Sequence, residues 1–245
     1  MKKLLFSTVK KVGKALKEMF YNREGLEKVK IKDGRNFSIR ADIVAEEIYL
    51  SQLSNQDVKI ISEEIGVVGK GEDIIIIDPL DGTINFFRNI PIFCTQLAFI
   101  SRENTISIIF NPISKELFYS IKGESFLNKK KILVSKETNL SKCIIDFGSK
   151  AILDKKLMNI KCFSKRCLAS AGISFAYVAS SKINSSIMKE CFIWDYYPGK
   201  ILIENAGGIM LEFNGNYRFN LEIKNLVAGN KTIVKKILHN VNKRD

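Results

Sequence analysis

Two aspartates lie close together after a run of four isoleucines in the stretch IIIIDPLDGTINF, residues 74–86. An uninterrupted apolar run of this kind predicts a buried strand. Asp78 and Asp81 would then lie at the end of that strand, where two carboxylates repel each other unless a cation lies between them. We therefore expect a positively charged ligand at this strand end.

Further carboxylates follow other predicted strands. Glu63 and Glu64 come directly after KIIS, and Asp195 follows CFIW at the expected N-cap of a helix. Carboxylates at several strand ends are typical of a site for Mg²⁺, which prefers oxygen ligands and commonly retains water and substrate phosphate. The carbonyl of Leu80, in a loop stiffened by Pro79, is a further candidate ligand.

A phosphate site is predicted beside these acids. Gly82 and Thr83 begin a predicted helix, and the backbone N–H groups at a helix start bind anions. Metal-binding carboxylates next to phosphate-binding N–H groups indicate a metal-assisted phosphatase. Each piece also has a plain structural interpretation: DPLDG is an ordinary turn sequence, Asp195 a helix cap, and Glu63-Glu64 a solvated pair.

The histidine and cysteine content argues against several other kinds of catalytic and structural site. The single histidine, His239, lies far in sequence from the acids, which argues against catalysis by a histidine base. The five cysteines are odd in number and form no C-x-x-C pair. This pattern argues against a disulfide framework and a zinc site, and favours a reducing cytoplasm. The cysteines are Cys94, Cys143, Cys162, Cys167 and Cys191.

The net charge of +13 permits nucleic acid, anionic membrane or phosphorylated substrates as partners. The lysines are spread along the chain, so no concentrated nucleic-acid-binding face is predicted. No stretch approaches the roughly 20 apolar residues of a membrane span. Apolar residues at helical spacing near the start predict an amphipathic packing helix, with a basic membrane-surface helix as the alternative. They are Leu5, Val9, Val12, Leu16 and Phe20.

Hydrophobic spacing and turn residues predict the elements that position these groups. The predicted helices are 3–20, 41–53, 169–181, 194–208 and 231–241. The predicted strands are 58–61, 73–77, 94–101, 105–112, 115–123, 143–148, 183–188, 208–213 and 225–230. The segments from 94 to 123 form an antiparallel meander. Residues 1–140 and 141–245 form two halves of one structural unit.

The motif D-P-L-D-G-T-x-N-F is preceded by E-E and followed by W-D and A-G-G. This set of motifs resembles that of the inositol monophosphatase family. This family is part of the superfamily of Mg²⁺-dependent, lithium-sensitive phosphatases. The resemblance covers most of the chain. It implies an α/β fold, a layered αβαβα sandwich with an antiparallel-sheet half and a mixed-sheet half, and a homodimer.

The resemblance also assigns roles to residues. Metal binding falls to Glu63, Asp78, the Leu80 carbonyl, Asp81, Asp195 and, for a third and weaker ion, Asp42. Glu63 and Thr83 would position and activate the attacking water. Substrate phosphate would bind at Gly82, Thr83 and Ser170.

Two positions depart from the family pattern. Met188 stands seven residues before Asp195, where the family has a glutamate that binds a substrate hydroxyl, and Glu190 is nearby but out of register. Ala169 replaces a glycine in the segment RCLAS, which retains Ser170. The resemblance therefore supports the phosphatase chemistry more strongly than it supports a preference for inositol.

We expect a cytoplasmic Mg²⁺-dependent phosphatase acting on inositol monophosphate or a related sugar or polyol phosphate. A 3′(2′),5′-bisphosphate nucleotidase or a fructose-1,6-bisphosphatase is an alternative. Against the nucleotidase, Ile84-Asn85-Phe86 follow D-G-T, where that group commonly has Lys-Glu-Phe. The resemblance also allows a non-catalytic regulator of RNA synthesis that contacts RNA or RNA polymerase.

Overall fold

The computed structural model describes residues 1–33, 36–219, 221 and 224–242. The helices are α1 (Lys2–Asn22), α2 (Arg40–Leu53), α3 (Thr83–Phe87), α4 (Lys155–Met158), α5 (Ala171–Ala179), α6 (Ile193–Glu204) and α7 (Lys231–Asn242). The strands of the N-terminal half are β1 (Lys28–Asp33), β2 (Asn36–Ile39), β3 (Val58–Ser62), β4 (Gly66–Val68), β5 (Asp73–Asp81), β6 (Cys94–Ile100), β7 (Thr105–Asn111), β8 (Glu116–Ile121), β9 (Glu124–Leu127) and β10 (Lys130–Lys131). They are followed by β11 (Ile144–Phe147), β12 (Ser164–Arg166), β13 (Ser185–Cys191), β14 (Ile209–Glu212) and β15 (Lys224–Gly229).

The elements predicted from hydrophobic spacing are present, with ends shifted by a few residues. The hairpin β1–β2 and the short strands β4, β9, β10 and β12 were not predicted. Apart from β1 they are two to four residues long, too short for a hydrophobic period to be recognised. One prediction about β5 is wrong in detail. The strand does not end at the isoleucines but continues through Asp81, so both aspartates lie within it.

The larger sheet has the strand order β10-β9-β8-β7-β6-β5-β3-β4. Strands β6 to β9 form the predicted antiparallel meander. β5 lies antiparallel to β6 but parallel to β3, so the carboxyl ends of β3 and β5 meet at one edge. The turn that carries Glu63 is thereby placed next to the end of β5.

The second sheet is mixed and has the order β12-β11-β13-β15-β14. β11 pairs in parallel with β12 and β13, whereas β15 pairs antiparallel with β13 and β14. An irregularity interrupts the pairing of β13 and β15 between Met188 and Cys191. Beyond this point β13 leads directly into α6.

Three apolar cores separate the layers. Helices α1 and α2 pack on the outer face of the larger sheet, with Leu5, Leu16 and Tyr49 fully buried. Helices α5 and α6 fill the space between the two sheets, where Phe175 and Leu202 are fully buried. Helix α7 covers the far face of the second sheet. The predicted αβαβα layering is confirmed.

The N-terminal helix is a packing helix, as expected. The side chains of Leu5, Val9, Val12 and Leu16 are 0% exposed against the larger sheet. Burying each stabilises the fold by about 1.5–3 kcal/mol relative to an exposed side chain. No described helix combines the length and the apolar character needed to cross a bilayer.

Candidate active site

A bulge at the end of β5 brings Asp78 and Asp81 to one face of the larger sheet. Asp78 pairs with Gln96 and Asp81 pairs with Cys94, so one extra residue of β5 is accommodated between them. Side chains three residues apart on a regular strand point to opposite faces. The extra residue restores both aspartates to the same face, since directly opposed residues share a face and Gln96 and Cys94 are two apart.

Asp78 is the centre of a cluster of negative charge. Its side chain is 1% exposed. Burial raises its pKa well above the usual value, and the neighbouring carboxylates Glu63, Asp81, Asp195 and Asp42 raise it further. The structure therefore brings together the acids that the sequence predicted as metal ligands, from separate elements of the fold.

Asp42 and Asp195 occupy equivalent positions on two helices. Each is the third residue of its helix, and each accepts a hydrogen bond at 2.7 Å through Oδ2 from the backbone N–H three residues earlier, Ile39 or Phe192. The prediction that Asp195 is an N-cap is wrong, because α6 begins earlier and Phe192 is the N-cap. At both positions the start of the helix favours the negative charge.

Burial raises the pKa of Asp42 to about 8, and the charge of Glu63 adds to this effect. The side chain of Asp42 is 1% exposed. Its Oδ1 accepts the hydroxyl hydrogen of Thr83 at 3.0 Å. The predicted water-activating hydroxyl is thus in direct contact with one predicted metal ligand.

Asp81 is held by the first turn of α5. Its Oδ2 accepts hydrogen bonds from the Ser170 hydroxyl at 2.5 Å and the Gly172 N–H at 2.7 Å, and its Oδ1 accepts from the Ala171 N–H at 3.1 Å. Burial raises the pKa of Asp81, and these hydrogen bonds partly oppose the rise. Ser170, predicted to bind substrate, is 3% exposed and lies where it orients this carboxylate.

Glu63 lies in the tight turn between β3 and β4. A residue that the sequence analysis missed, Glu46, fixes this turn from α2. The buried carboxylate of Glu46 accepts hydrogen bonds from the Ser62 hydroxyl at 2.5 Å and the Ile65 N–H at 3.1 Å. Its spacing of four residues from Asp42 puts both on one face of α2, which is the signal that could have identified it.

Gly82 and Thr83 form the corner between β5 and α3. Gly82 has φ 92°, a left-handed conformation that favours glycine, and a Cβ there would lie 3.0 Å from the carbonyl oxygen of Ile92. Thr83 begins α3, which has five residues and so confirms the predicted helix as a single turn. The Thr83 hydroxyl also lies 3.1 Å from the Leu80 carbonyl oxygen.

Two buried amides, also missed, connect the parts of the site. Gln96 Nε2 donates to the carbonyl oxygens of Trp194 and Asp195 at 3.1 and 3.3 Å, which ties the start of α6 to the strand opposite Asp78. Asn85 Nδ2 donates to the carbonyl oxygen of Leu168 at 2.8 Å, which ties α3 to the loop before α5. Both contacts join residues distant in sequence, so no local pattern indicates them.

The departure at Met188 has a structural counterpart. Met188 is 5% exposed and packs against Gly148, where a Cβ would lie 2.4 Å from its sulfur. The strand irregularity follows, and Glu190 has φ 57°, which is uncommon for any residue other than glycine. The exposed Glu190 forms an ion pair at 2.6 Å with Lys150. A carboxylate is therefore present near this position, displaced by a bulge.

The donor chemistry of the cluster fits Mg²⁺. Its groups are carboxylate oxygens, and the charges that act most strongly on Asp78 are all negative. Within the described ranges no group of three or more Asp, Glu, His or Cys side chains is placed to hold a metal ion in this conformation. Asp42, Asp81 and Asp195 each direct an oxygen to a backbone N–H instead. A cation would draw together side chains that otherwise repel one another.

Comparison with known proteins identifies the relatives of this chain. It is similar to Nus factor SuhB of Pasteurella multocida (strain Pm70), with 28% identity over 248 residues that cover 95% of this chain and 92% of the relative. It is 32% identical to a fructose-1,6-bisphosphatase/inositol-1-monophosphatase of Thermotoga maritima over 196 residues, which cover 76% of this chain and 74% of the relative.

Among solved structures, the extragenic suppressor protein suhB of Bartonella henselae superposes with a TM-score of 0.90 at 26% identity, covering 100% of this chain and 99% of that one. The profile of the inositol monophosphatase family matches residues 1–245. The sequence-based resemblance is confirmed, and the chain belongs to the inositol monophosphatase family.

Proposed function

We propose that this protein is a metal-dependent phosphatase that hydrolyses inositol monophosphate or a related small sugar or polyol phosphate. The observation that supports this most strongly is the charge around Asp78. A buried carboxylate with four acidic neighbours and a raised pKa destabilises the folded protein unless a cation is bound. We therefore interpret this cluster of buried carboxylates as a functional cation site.

Metal binding is assigned to Asp78, Asp81, Asp195, Glu63 and the Leu80 carbonyl, with Asp42 as a more peripheral ligand. Bound Mg²⁺ would stabilise the negative charge of the phosphate and lower the pKa of the attacking water. Ser170 and the N–H groups of α5 orient Asp81. Gln96 holds the start of α6, and with it Asp195, against β6.

Proton transfer is assigned to Thr83 and Glu63. Because the Thr83 hydroxyl directs its hydrogen to Asp42 or to the Leu80 carbonyl, its oxygen is left as an acceptor for a hydrogen of the attacking water. The Glu63 carboxylate, in the turn beside Asp42, would accept the second hydrogen of the same water. Together they orient water for attack on phosphorus, a contribution of about 10²–10⁴-fold for well-placed groups.

Phosphate binding is assigned to the corner at Gly82 and Thr83. The first N–H groups of α3 have no partner within the helix and are available to phosphate oxygens. The absence of a Cβ at Gly82 lets the backbone turn tightly between β5 and α3. Ser170 would contribute through its hold on Asp81.

Substrate preference is assigned to the bulge of β13. With Met188 buried, the carboxylate nearest to that position in the sequence is Glu190, already paired with Lys150. A hydroxyl-bearing substrate would have to compete with Lys150 for it. We therefore propose a weak preference for inositol over other polyols. The similarity to the Thermotoga maritima protein keeps fructose-1,6-bisphosphate among the candidate substrates.

The test is phosphate release from a panel of inositol, sugar, polyol and nucleotide phosphates, with Mg²⁺ and with EDTA. We expect activity that requires Mg²⁺ and that falls by at least about 10³-fold in Asp78→Asn. A matched control is Asp73→Asn, at the opposite end of β5. Near wild-type turnover of Asp78→Asn with Mg²⁺ would contradict the metal assignment.

A second candidate function is a role in RNA synthesis. Its support is the similarity to proteins named Nus factor SuhB together with a net charge of +13. We propose contact with RNA or RNA polymerase as a role separable from catalysis. Asp78→Asn should then retain full, salt-sensitive capture of RNA polymerase or RNA. Loss of capture in the inactive variant, or no capture at low salt, would reject this role.

A further inference from the structure

A cavity lies on the outer face of the larger sheet, beside α1 and over strands β7, β8 and β9. Its volume is about 260 Å³. None of its lining residues belongs to the candidate active site. The lining consists of Lys10, Phe110, Lys115, Leu117, Tyr119, Asn128 and Lys129.

The floor of the cavity is aromatic and fixed. Phe110 lies against Gly13 of α1, where a Cβ would come within 2.4 Å of the ring, so this position accepts no larger residue while the ring stays in place. Tyr119 stacks on Phe126 at a centroid distance of 5.1 Å and forms a T-shaped pair with Phe6 at 5.2 Å. The ring of Tyr119 is therefore held in one orientation at the cavity surface.

Lysines from three separate elements surround this floor. Lys10 comes from α1, Lys115 from the turn before β8, and Lys129 from the turn after β9. Asn128 fastens the two turns together, since its Nδ2 donates to the Lys115 carbonyl at 3.1 Å and its Oδ1 accepts from the Leu117 N–H at 3.0 Å. The two turn lysines are thus carried on a braced backbone.

The positive charge of the cavity is not neutralised by its surroundings. Among the residues that the structure describes, no acidic side chain lines it. Two carboxylates on the adjacent strands are occupied elsewhere: Glu116 pairs with Lys182, and Glu124 pairs with Lys131 at 2.5 Å. A ligand that enters would therefore meet cations and aromatic rings without a competing acid in the lining.

We propose that this cavity binds a nucleoside monophosphate, with the base against Tyr119 and Phe110 and the phosphate among Lys10, Lys115 and Lys129. Aromatic side chains stack with nucleobases, and lysine is a common point-charge partner for phosphate. The volume lies just below the usual range for small-molecule sites, which suits a mononucleotide better than a dinucleotide. The site does not depend on the proposed phosphatase activity.

The test is calorimetric titration with guanosine and uridine 5′-monophosphates in EDTA, which removes metal-dependent binding at the active site. Inorganic phosphate and guanosine are titrated separately. We expect each nucleotide to bind at least about tenfold more tightly than either part, because both the ring and the phosphate are recognised. Affinity should fall with added salt, since screening weakens the lysine contacts.

Single variants Lys10→Gln, Lys115→Gln and Lys129→Gln should each weaken binding by about threefold or more. The matched control is Lys122→Gln. Lys122 is an exposed lysine on the neighbouring β8–β9 turn, also in a left-handed conformation (φ 53°), but it is not in the lining. Tyr119→Leu should remove the preference for nucleotide over phosphate.

Several results would overturn the proposal. Equal affinity for phosphate and nucleotide would exclude recognition of the base. Equal losses in Lys122→Gln and the cavity variants would indicate general attraction to a basic surface. Lysine-dependent binding of a twenty-nucleotide RNA, without binding of either mononucleotide, would assign the surface to extended nucleic acid. Asp78→Asn should bind nucleotide as the wild type does, and loss there would place the ligand in the active site.

Discussion

Replacing Asp42 by asparagine should stabilise the metal-free protein, and the gain should grow with pH. The pKa of Asp42 is raised to about 8 by burial and by Glu63, against about 3.9 for an aspartate in an unfolded chain. The folded protein therefore holds this proton more tightly than the unfolded chain does. Between about pH 4 and about pH 8 the unfolded chain is ionised at Asp42 while the folded protein stays protonated, so the fold loses stability progressively as pH rises through this range.

The size of the effect follows from about 1.4 kcal/mol per pKa unit. The free energy of unfolding is lowered by about 1–2 kcal/mol at pH 5 and by about 4 kcal/mol at pH 7. Asparagine avoids this penalty and keeps one oxygen for the Ile39 N–H, but it loses the second acceptor that the Thr83 hydroxyl uses. With about 1–2 kcal/mol for that loss, the net gain is near zero at pH 5 and about 2–3 kcal/mol at pH 7.

Urea unfolding in EDTA at several pH values measures this directly. The control Asp73→Asn changes an aspartate at the opposite end of β5 and should stay within about 0.5 kcal/mol of the wild type at each pH. Saturating Mg²⁺ should shrink or reverse the gain, because bound cation removes the penalty from the wild type. A gain of equal size at pH 5 and pH 7 would refute the electrostatic explanation, as would no gain at either.

Three further outcomes are expected. Thr83→Ala should lower kcat by about 10²-fold or more with little change in KM, because the hydroxyl orients water; a large rise in KM with kcat preserved would contradict this role. Glu190→Ala should abolish any inositol selectivity, measured as the ratio of kcat/KM for inositol 1-phosphate to that for a simple polyol phosphate. Met188→Glu should lower thermal stability, because it places a charge in the core. If inositol selectivity survives in Glu190→Ala and rises in a folded Met188→Glu variant, the substrate contact lies at residue 188 and not at Glu190. Gly82→Ala should destabilise the protein by about 1–3 kcal/mol in urea unfolding, since φ is 92° there and the added Cβ meets the Ile92 carbonyl; an unchanged midpoint would show that the corner adjusts freely.

The strands and acids of the site were predictable because their signals are local. Four consecutive isoleucines indicate β5 without reference to any other part of the chain. The aspartates and glutamates at strand ends are likewise visible as residue types. The αβαβα layers followed from the family resemblance, with the helical and strand periods in agreement.

The arrangement of those acids was not predictable, because it depends on pairing. The bulge between Asp78 and Asp81 exists only relative to β6, so the sequence of β5 alone reads as a strand followed by a loop. Asp195 was placed at an N-cap because CFIW reads as the end of a strand, whereas β13 ends at Cys191 and α6 begins at Ile193. Ser170 contacts Asp81 across 89 residues of chain, a separation at which no spacing rule applies.

The contact between Gln96 and the start of α6 has a consequence for folding kinetics. It joins residues separated by 98 and 99 positions, and it closes the candidate site from the second half of the chain. Contacts of such long range tend to form late, after much of the surrounding structure has closed. Until they form, Asp195 is not beside Asp78, and a divalent ion finds an incomplete set of ligands. An ion that binds only after the transition state slows unfolding and leaves the folding rate unchanged. Stopped-flow folding and unfolding rates should therefore be measured against denaturant concentration with and without Mg²⁺. The folding rates should coincide and the unfolding rates should differ, so that the ion lengthens the lifetime of the folded protein without shortening the time it takes to fold.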